Sequence, residues 1–489
     1  MKLTFKNTFR NGFTILVVAL IFMGCQKKSN PVNPNPPNEQ VHQLVILYTN
    51  DEHGWMEATD AHGGAAGMMA LWKENENFSD QDPFLVLSGG DMWTGPAIST
   101  WTKGESMVEV MNAMGYDAAA IGNHEFDFQV SGLRRNLSLS QFPYLSANIK
   151  EKSTGQRPDF AVPYIVKQVN GIHVGIIGLT TTTTPRSTFP AYVTNYDFID
   201  YETALAEIVP QVKNAGAELL VVLGHICKDE MQNILPAAKE MGIAVITGGH
   251  CRDTLNQTVD GVALIHTGYY MQNYAEVAIE FDTEADTVVS LTQKLVSNEP
   301  HTPDPEIQSV IDRWRAHVDA TLSEVIGYAD SEINSRSNEM YNMICDSWLE
   351  MFPDADISCT NIGGIRQSIP AGNITLGTIV GVLPFENQIV SLEHTGSQVI
   401  DVTKYLIVGG MTRVDGYKLS DGSPLQMGET YTILTTDYLY SRSDYNFSLY
   451  DPTPVLLAVN YRDPVIEWIR SKNSSSTNPL NQYLDGNPR

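Results

Sequence analysis

The sequence has little positive charge and few cysteines. Its 31 lysine and arginine residues stand against 57 acidic residues, which gives a net charge of −26. Binding to a nucleic-acid polymer needs clustered cations, so this balance argues against DNA or RNA as a partner. Five cysteines occur in 489 residues without a CxxC spacing, so nothing indicates a structural zinc knuckle. An apolar content of 42% excludes a disordered chain.

Long apolar runs are also scarce near the N-terminus. Residues 13–22 are apolar, but a membrane-spanning helix needs about 20 such residues. The run follows three basic residues and precedes Gly24-Cys25, which is typical of a lipoprotein signal peptide over residues 1–24. We therefore predict export and a lipid on Cys25 as the only membrane anchor, on a bacterial membrane facing the periplasm or the cell surface. Four prolines without apolar periodicity predict an extended tether over residues 25–40.

From residue 41 to about residue 300, short apolar runs alternate with amphipathic stretches, which predicts an α/β domain. Most runs are too continuously apolar for a sheet with one wet face, so we expect helices on both faces. The predicted strands are residues 44–47, 84–87, 118–121, 144–147, 174–177, 219–223, 245–246 and 262–265.

Metal-competent side chains follow five of these runs. One such residue after a strand is usually a cap, but five occurrences indicate a common crevice at the carboxyl ends of the strands. Imidazole nitrogens with carboxylate and amide oxygens suit zinc, manganese or iron. Six ligands exceed the needs of one tetrahedral ion, so we predict two divalent ions bridged by Asp91, which follows two glycines. The six candidates are Asp51, His53, Asp91, Asn123, His225 and His250.

The motifs around these residues resemble the calcineurin-like metallophosphoesterase domain. They are Asn50-Asp51-Glu52-His53-Gly54, Gly90-Asp91, Gly122-Asn123-His124-Glu125-Phe126-Asp127, Gly224-His225 and Gly248-Gly249-His250. With its second half, the chain resembles the 5′-nucleotidase family, which includes UDP-sugar hydrolases and 2′,3′-cyclic nucleotide phosphodiesterases. The resemblance implies a four-layer α/β/β/α sandwich, a linker helix and an α+β substrate-recognition domain. It also implies that the six candidates bind metal and that His124 and Asp127 form the catalytic pair.

Arg252 departs from this family, which usually has Gln, Asn or His at that position as a metal ligand. A guanidinium group has no lone pair to donate to a metal. Either one ion has one protein ligand fewer, or Arg252 turns to the substrate phosphate. We favour the second alternative.

The four cysteines that remain after Cys25 leave two pairings open. Cys227 and Cys251 lie on loops that must meet if His225 and His250 bind one metal, so a disulfide or two buried thiols are equally expected. Cys345 and Cys359 flank a short connection between a helix and a strand and are a second possible pair.

The second half begins after a predicted linker helix at residues 301–330. Residues 331–470 form the predicted substrate-binding domain, and the polar residues 471–489 are predicted to be a flexible tail. The resemblance implies nucleotide contacts in this domain, although bulky residues replace the family's usual glycines around Asp444. The implied contact residues are Asn361, Gly364, Arg366, Phe385, Tyr438 and Asp444.

These patterns predict a metal-dependent phosphoric ester hydrolase that removes phosphate from nucleotides by attack of metal-activated water. A UDP-sugar pyrophosphatase or a 2′,3′-cyclic nucleotide phosphodiesterase is the alternative enzyme. A nutrient-binding surface lipoprotein is the alternative outside enzymes, but a mere binding protein would not need His124 and Asp127.

Overall fold

The computed structural model describes residues 40–79 and 83–489. The predicted signal peptide, Cys25 and the tether up to residue 39 therefore lie outside the described residues. Within the described part, none of the helices combines the length and apolarity needed to cross a bilayer.

The first domain consists of strands that alternate with helices. Its strands are β1 (Val41–Thr49), β2 (Phe84–Ser88), β3 (Ala118–Ala120), β4 (Tyr144–Leu145), β5 (Ile149–Glu151), β6 (Tyr164–Val169), β7 (Ile172–Thr180), β8 (Tyr196–Phe198), β9 (Leu219–His225), β10 (Ile243–Thr247), β11 (Thr254–Val259), β12 (Val262–Thr267), β13 (Asn273–Asp282) and β14 (Thr287–Ser297). Its helices are α1 (Gly64–Asn75), α2 (Ala97–Thr100), α3 (Glu105–Ala113), α4 (Gln129–Leu139), α5 (Thr184–Ser187), α6 (Tyr201–Asn214) and α7 (Lys228–Glu240).

Two six-stranded sheets form the centre of this domain, with strand orders β14-β13-β1-β2-β3-β4 and β11-β12-β10-β9-β7-β6. Alternate residues such as Ile46 and Val221 pack between the two sheets. The opposite faces pack against helices, as Val86 does in the first sheet and Val222 in the second. The predicted four-layer sandwich is therefore confirmed.

All eight runs predicted as strands coincide with strands in the structure, but β3 ends one residue and β4 two residues before the end of the predicted run. The expectation of helices on both faces of a sheet is wrong, because each sheet has helices on one face and the other sheet on the opposite face. Continuous apolarity shows that both faces are buried, but it does not tell whether a helix or a sheet buries them.

Helix α8 (Pro305–Leu322) connects the two domains. The Asp304 side chain caps its N-terminus by accepting hydrogen bonds from the next turn. Ile307 and Ile311 pack into the core of the first domain, whereas Val318 and Leu322 pack with Val380 of the second. The linker helix is thus attached to the first domain along its first half and contacts the second at its end.

The second domain is α+β. Its strands are β15 (Val325–Ala329), β16 (Ile357–Thr360), β17 (Gly372–Thr375), β18 (Gln388–Thr395), β19 (Ile407–Gly409), β20 (Met411–Thr412), β21 (Lys418–Leu419), β22 (Thr430–Thr436) and β23 (Val455–Asn460). Its helices are α9 (Asn338–Met351), α10 (Leu376–Val382), α11 (Gly396–Thr403), α12 (Asp437–Ser441), α13 (Phe447–Tyr450) and α14 (Asp463–Ser471). Five of the strands form one sheet in the order β19-β16-β22-β18-β23. Strand β15, at residues 325–329, pairs with β17 of this domain. The second domain therefore begins before residue 331, the boundary predicted from the sequence.

The C-terminal segment 471–489 packs against the second domain, so the prediction of a flexible tail is wrong. Leu480 is fully buried in the core of that domain. Arg489 forms ion pairs with Asp346 and Asp485. Asn342 donates hydrogen bonds to the Asp485 and Asn487 carbonyl oxygens at 2.8 and 2.9 Å. The polar composition suggested a tail, but the polar groups of this segment bind side chains of the second domain.

Cys345 and Cys359 are free buried thiols, so the second possible disulfide is absent. Cys345 belongs to the apolar cluster on one face of the five-stranded sheet, and Cys359 belongs to the cluster on the other. Side chains alternate along β16, so Ser358 faces helix α9 and donates to the Cys345 carbonyl, while Cys359 points away.

Candidate metal centre and substrate pocket

The candidate ligands lie on tight loops at the carboxyl ends of the strands. Five residues in these loops have a left-handed backbone, which is uncommon for residues other than glycine and is found at functional sites. They are Asp51 (φ 51°), His53 (46°), Asp91 (58°), His250 (76°) and Arg252 (56°). The loops aim their side chains into one crevice at a local cost in backbone strain.

Asp91 stands at the centre of the crevice. Its Oδ2 lies 3.1 Å from His225 Nε2 and 3.8 Å from His53 Nε2. One potential ligand atom from each of His53, Asp91 and His124 lies within 4.8 Å of the other two. The same holds for Asp91, His225 and His250. A carboxylate shared by two such groups fits a bridge between two cations.

Hydrogen bonds orient the ligand side chains. His225 and His53 each place Nδ1 against a backbone carbonyl oxygen, at 2.7 Å from Gly89 and 2.9 Å from Thr94. In its neutral form each ring therefore carries its lone pair on Nε2, as metal-binding histidines commonly do. Asn123 donates through Nδ2 to the Ser187 carbonyl at 3.1 Å.

Several buried polar atoms in the crevice lack a hydrogen-bond partner. They are Asp51 Oδ1, Asn123 Oδ1 and His225 Nε2. Burial lowers the pKa of the His225 ring, but the Asp91 and Asp51 carboxylates raise it to about 10. The crevice therefore favours positive charge, and its free oxygen and nitrogen atoms fit divalent cations.

Glu125 is a site residue that the sequence analysis missed. Its buried carboxylate accepts hydrogen bonds from the backbone N–H groups of Asp91, Met92 and Gly122, at 2.8, 2.8 and 2.6 Å. Burial and the Asp91 charge raise the pKa of Glu125 to about 8. Its position inside the motif of residues 122–127 was the available signal. Glu125 fixes the loop that carries Asp91.

His124 and Asp127 form a hydrogen-bonded pair beside the crevice. His124 Nδ1 lies 2.7 Å from Asp127 Oδ2, and Thr188 donates to Asp127 Oδ1 at 3.1 Å. Burial lowers the pKa of His124, but Asp127 and Asp91 raise it above its ordinary value. The ring is therefore held in one orientation with a preference for the charged form.

A cavity of about 230 Å³ lies beside this pair, between the two domains. It is lined by most of the substrate residues expected from the sequence, namely Asn361, Gly364, Arg366, Phe385 and Tyr438. The Phe385 ring stacks on His124 with centroids 5.8 Å apart. Arg366 Nη2 lies 3.1 Å from His53 Nε2. A wider groove of about 810 Å³ between α4 and α8 is lined by none of the candidate ligands.

Asp444, the remaining substrate residue expected from the sequence, is bound by Arg442 and does not line the cavity. Arg442 Nε donates to Asp444 Oδ1 at 2.8 Å, and Nη1 donates to the Tyr438 hydroxyl at 2.7 Å. Arg442 also donates to the Arg186 carbonyl of the first domain. Sequence analysis did not identify Arg442, which lines the cavity itself.

Arg252 lies on an aromatic surface next to the ligands. Its guanidinium carbon is 5.4 Å from the Tyr269 ring centroid and 5.1 Å from that of Tyr270. Burial and the charge of Arg366 lower the pKa of Arg252. The side chain is thus held beside the crevice without acting as a metal ligand.

The structure contains a disulfide between Cys227 and Cys251, with Cα atoms 5.2 Å apart. It joins the segment directly after His225, the last residue of β9, to the loop after β10, which carries His250. Of the alternatives for this pair, the structure therefore shows the disulfide.

Comparisons with known proteins agree with this geometry. Residues 44–251 match the model of the calcineurin-like phosphoesterase, and residues 318–404 match that of the 5′-nucleotidase C-terminal domain. Human 5′-nucleotidase is 31% identical over 442 residues, which cover 80% of this chain and 75% of the human protein. This chain belongs to the 5′-nucleotidase family.

A second relative and a solved structure are also similar to this chain. Rat 5′-nucleotidase is 30% identical over 448 residues, covering 81% of this chain and 76% of the rat protein. The crystal structure of a 5′-nucleotidase precursor from Thermus thermophilus shares the fold, with a TM-score of 0.75 and 22% identity, covering 89% of this chain and 97% of that one. The protein is a metal-dependent phosphoester hydrolase.

Proposed function

We propose that this protein is an exported, lipid-anchored 5′-nucleotidase that removes phosphate from nucleotides with the help of two divalent ions. The observation that carries the proposal is Asp91, which two groups of metal-competent atoms share beside the His124–Asp127 pair. The cavity next to that pair contains aromatic side chains suited to a nucleoside.

The candidate ligands divide into two sets around Asp91. Asp51 and His53 would hold one ion with it, and Asn123, His225 and His250 would hold the other. Ions bound there would supply a nucleophile from water near neutral pH and positive charge for the phosphate oxygens. The mixture of nitrogen and oxygen ligands suits zinc, manganese or iron.

His124 would act on the leaving group. Because Asp127 binds Nδ1, the proton on Nε2 is directed away from Asp127. When the bond between phosphorus and the ester oxygen breaks, Nε2 gives its proton to the nucleoside oxygen, which leaves as a hydroxyl group. The neutral ring is then recharged from solvent.

The second domain would bind the rest of the substrate. Phe385 offers a ring face for the base, and Arg366 reaches past it toward His53 and the phosphate. The catalytic pair lies on one domain and these residues on the other, so a bound substrate contacts both domains. Rotation of the domains about the end of α8 would let substrate in and product out.

A phosphate-release assay tests the proposed activity. Purified protein should release phosphate from AMP in the presence of manganese or zinc, and excess chelator should abolish the release. His124→Ala should lower the rate by about 10²- to 10⁴-fold. Release that a chelator does not change, or no release from any substrate, would contradict the proposal.

UDP-glucose and a 2′,3′-cyclic nucleotide belong in the same assay. Similarity to a Bacillus subtilis protein named trifunctional nucleotide phosphoesterase, and the altered surroundings of Asp444, make these substrates worth comparison. If kcat/KM for either compound exceeds that for AMP, the protein is the corresponding alternative enzyme rather than a 5′-nucleotidase. If the protein binds a nutrient but turns over none of these substrates, the result would favour a nutrient-binding surface lipoprotein.

Export and lipid anchoring rest on the N-terminal sequence and on similarity to a Listeria monocytogenes protein named as a cell wall protein. Detergent phase partition tests this part. The full chain made in a bacterium should enter the detergent phase, and Cys25→Ser should move it to the aqueous phase. Partition that this substitution leaves unchanged would overturn the anchor but not the activity.

A further inference from the structure

Two arginines lie on either side of His53 without an acidic partner. Arg366 Nη2 is 3.1 Å from His53 Nε2, and its Nε is buried without a hydrogen bond. On the other side, the Tyr270 ring centroid is 5.7 Å from that of His53, and the Arg252 guanidinium carbon is 5.1 Å from the Tyr270 centroid. Two cationic groups thus converge on the candidate metal centre.

Other arginines of this chain show the usual arrangement. Arg134, Arg315 and Arg462 each form an ion pair with a carboxylate. Across residues 40–79 and 83–489, neither Arg252 nor Arg366 forms one, although acidic residues outnumber basic ones in the chain. The Asp51 carboxylate attracts Arg252 without pairing with it. Asp51 is also a candidate metal ligand, so ions at the centre would take up its charge and add to the repulsion between the two arginines. An anion with more than one negative charge would relieve it.

The geometry points to a terminal phosphate as this anion: we propose that Arg252 and Arg366 together bind the non-bridging oxygens of a dianionic phosphate, so that the protein selects phosphomonoesters over phosphodiesters. This inference rests on the proposed function and narrows its substrate class. A monoester has three non-bridging oxygens and a charge near −2 at neutral pH, whereas a diester has two and a charge of −1. Only the monoester offers oxygens and charge for both arginines as well as for the ions.

The environment of Arg252 suits this task. Its ring contacts with Tyr269 and Tyr270 hold the planar guanidinium, which a lysine could not match as well. Its left-handed backbone (φ 56°) sets the direction of the side chain from the loop after His250. Planar N–H groups bind phosphate oxygens in pairs.

Arg252→Met and Arg252→Lys test the proposal in turnover. Methionine keeps the packing on the tyrosines but offers neither charge nor a hard metal ligand. With 5′-AMP, we expect Arg252→Met to lower kcat/KM by about 10- to 100-fold and Arg252→Lys to lower it less. With 2′,3′-cyclic AMP, the loss should stay below about threefold. Arg134→Met, at an exposed ion pair on α4, is the matched control and should change neither value.

Calorimetry gives a readout that does not depend on turnover. Inorganic phosphate should bind the metal-loaded Arg252→Met full chain at least about 10-fold more weakly than the parent, whereas dimethyl phosphate should bind both alike. Metal content measured on the same samples should be unchanged. Equal losses for both ligands, an unchanged phosphate Kd, or a loss explained by missing metal would overturn the proposal.

The calorimetric experiment also separates the two proposals. If the parent protein hydrolyses neither nucleotide, the proposed function fails, while the difference between inorganic phosphate and dimethyl phosphate still decides the role of Arg252. If the parent hydrolyses AMP but Arg252→Met loses nothing, the proposed function stands and the present inference fails.

Discussion

Every side chain of the candidate metal centre lies at or just after the end of a strand of the first domain, whereas Phe385 and Tyr438 of the cavity stand on a loop and a short helix of the second. Strand ends are fixed by the sheet, and Glu125 and the disulfide add further restraints on the ligand loops. The cavity residues depend on contacts between side chains, such as those of Arg442. The candidate metal centre is therefore built on the rigid part of the fold, and the expected contacts with the base on the part that can vary.

The largest expected effect comes from the centre of the rigid part. Asp91→Asn should lower kcat by about 10³-fold or more and reduce bound metal, because in the proposed site one carboxylate would serve both ions. Metal analysis and phosphate release on the same preparation measure both effects. Asp60→Asn, on an exposed loop, is the control and should retain both. Full metal content and full activity in Asp91→Asn would show that the candidate metal centre does not depend on Asp91.

Asp127→Asn should have the next largest effect, a loss of about 10²-fold in kcat. Asp127 helps raise the pKa of His124, and the charged ring is the active form, so activity falls as the pH rises through that pKa. Without the Asp127 charge the pKa drops, and the alkaline limb of the pH profile should move to lower pH. Profiles of kcat/KM for the parent, Asp127→Asn and the exposed control Asp159→Asn measure the shift. An unmoved limb would show that Asp127 does not act through His124.

Phe385→Ala tests the variable part and should raise the KM for AMP by about 5- to 150-fold, the equivalent of about 1–3 kcal/mol of base stacking. The effect on kcat should be smaller. Ribose 5-phosphate, which has no base, should show little change in KM. Equal changes for both compounds would mean that Phe385 does not stack on the base. Phe385→Tyr keeps the ring and is the matched control.

Asp444→Asn should have the smallest effect, below about threefold in KM for AMP. The carboxylate is 55% exposed and engaged by Arg442, and exposed ion pairs contribute about 0–1 kcal/mol. AMP and 2′-deoxy-AMP should respond alike. A KM increase above about 10-fold for AMP alone would show that Asp444 releases Arg442 and binds the ribose. The division between the two regions would then be less sharp.

The sequence predicted eight strands and the residues at their ends, because continuous apolar runs and the polar residues after them are local features. Six other strands of the first domain were not predicted: β5, β6, β8, β11, β13 and β14. Strand β13 is buried mainly at alternate positions and β14 is largely exposed, so neither has a continuous apolar run. The packing of sheet on sheet did not follow from the apolar runs and was implied only by the family resemblance, because burial of a face does not identify its partner.

The candidate site divides in the same way. Asp51, Asp91 and His250 could be placed from their positions in the chain, and the structure brings them together. Glu125 binds the backbone of Asp91, and Arg442 binds the backbone of Arg186. Both partners are far away in the sequence. Whether Cys345 and Cys359 could form a disulfide also depended on which face of the sheet each side chain occupies. Such roles become visible only in three dimensions.

The disulfide between Cys227 and Cys251 has a practical consequence for preparing this protein. If the chain is made in a reducing cytosol, two thiols would lie within 4.8 Å of His250, in a group able to capture a soft metal ion. A metal ion bound by both thiols could also take His250 as a ligand and so remove it from the candidate metal centre. Secretion into an oxidising compartment, with metal added only after thiol titration shows the bond closed, avoids this competition.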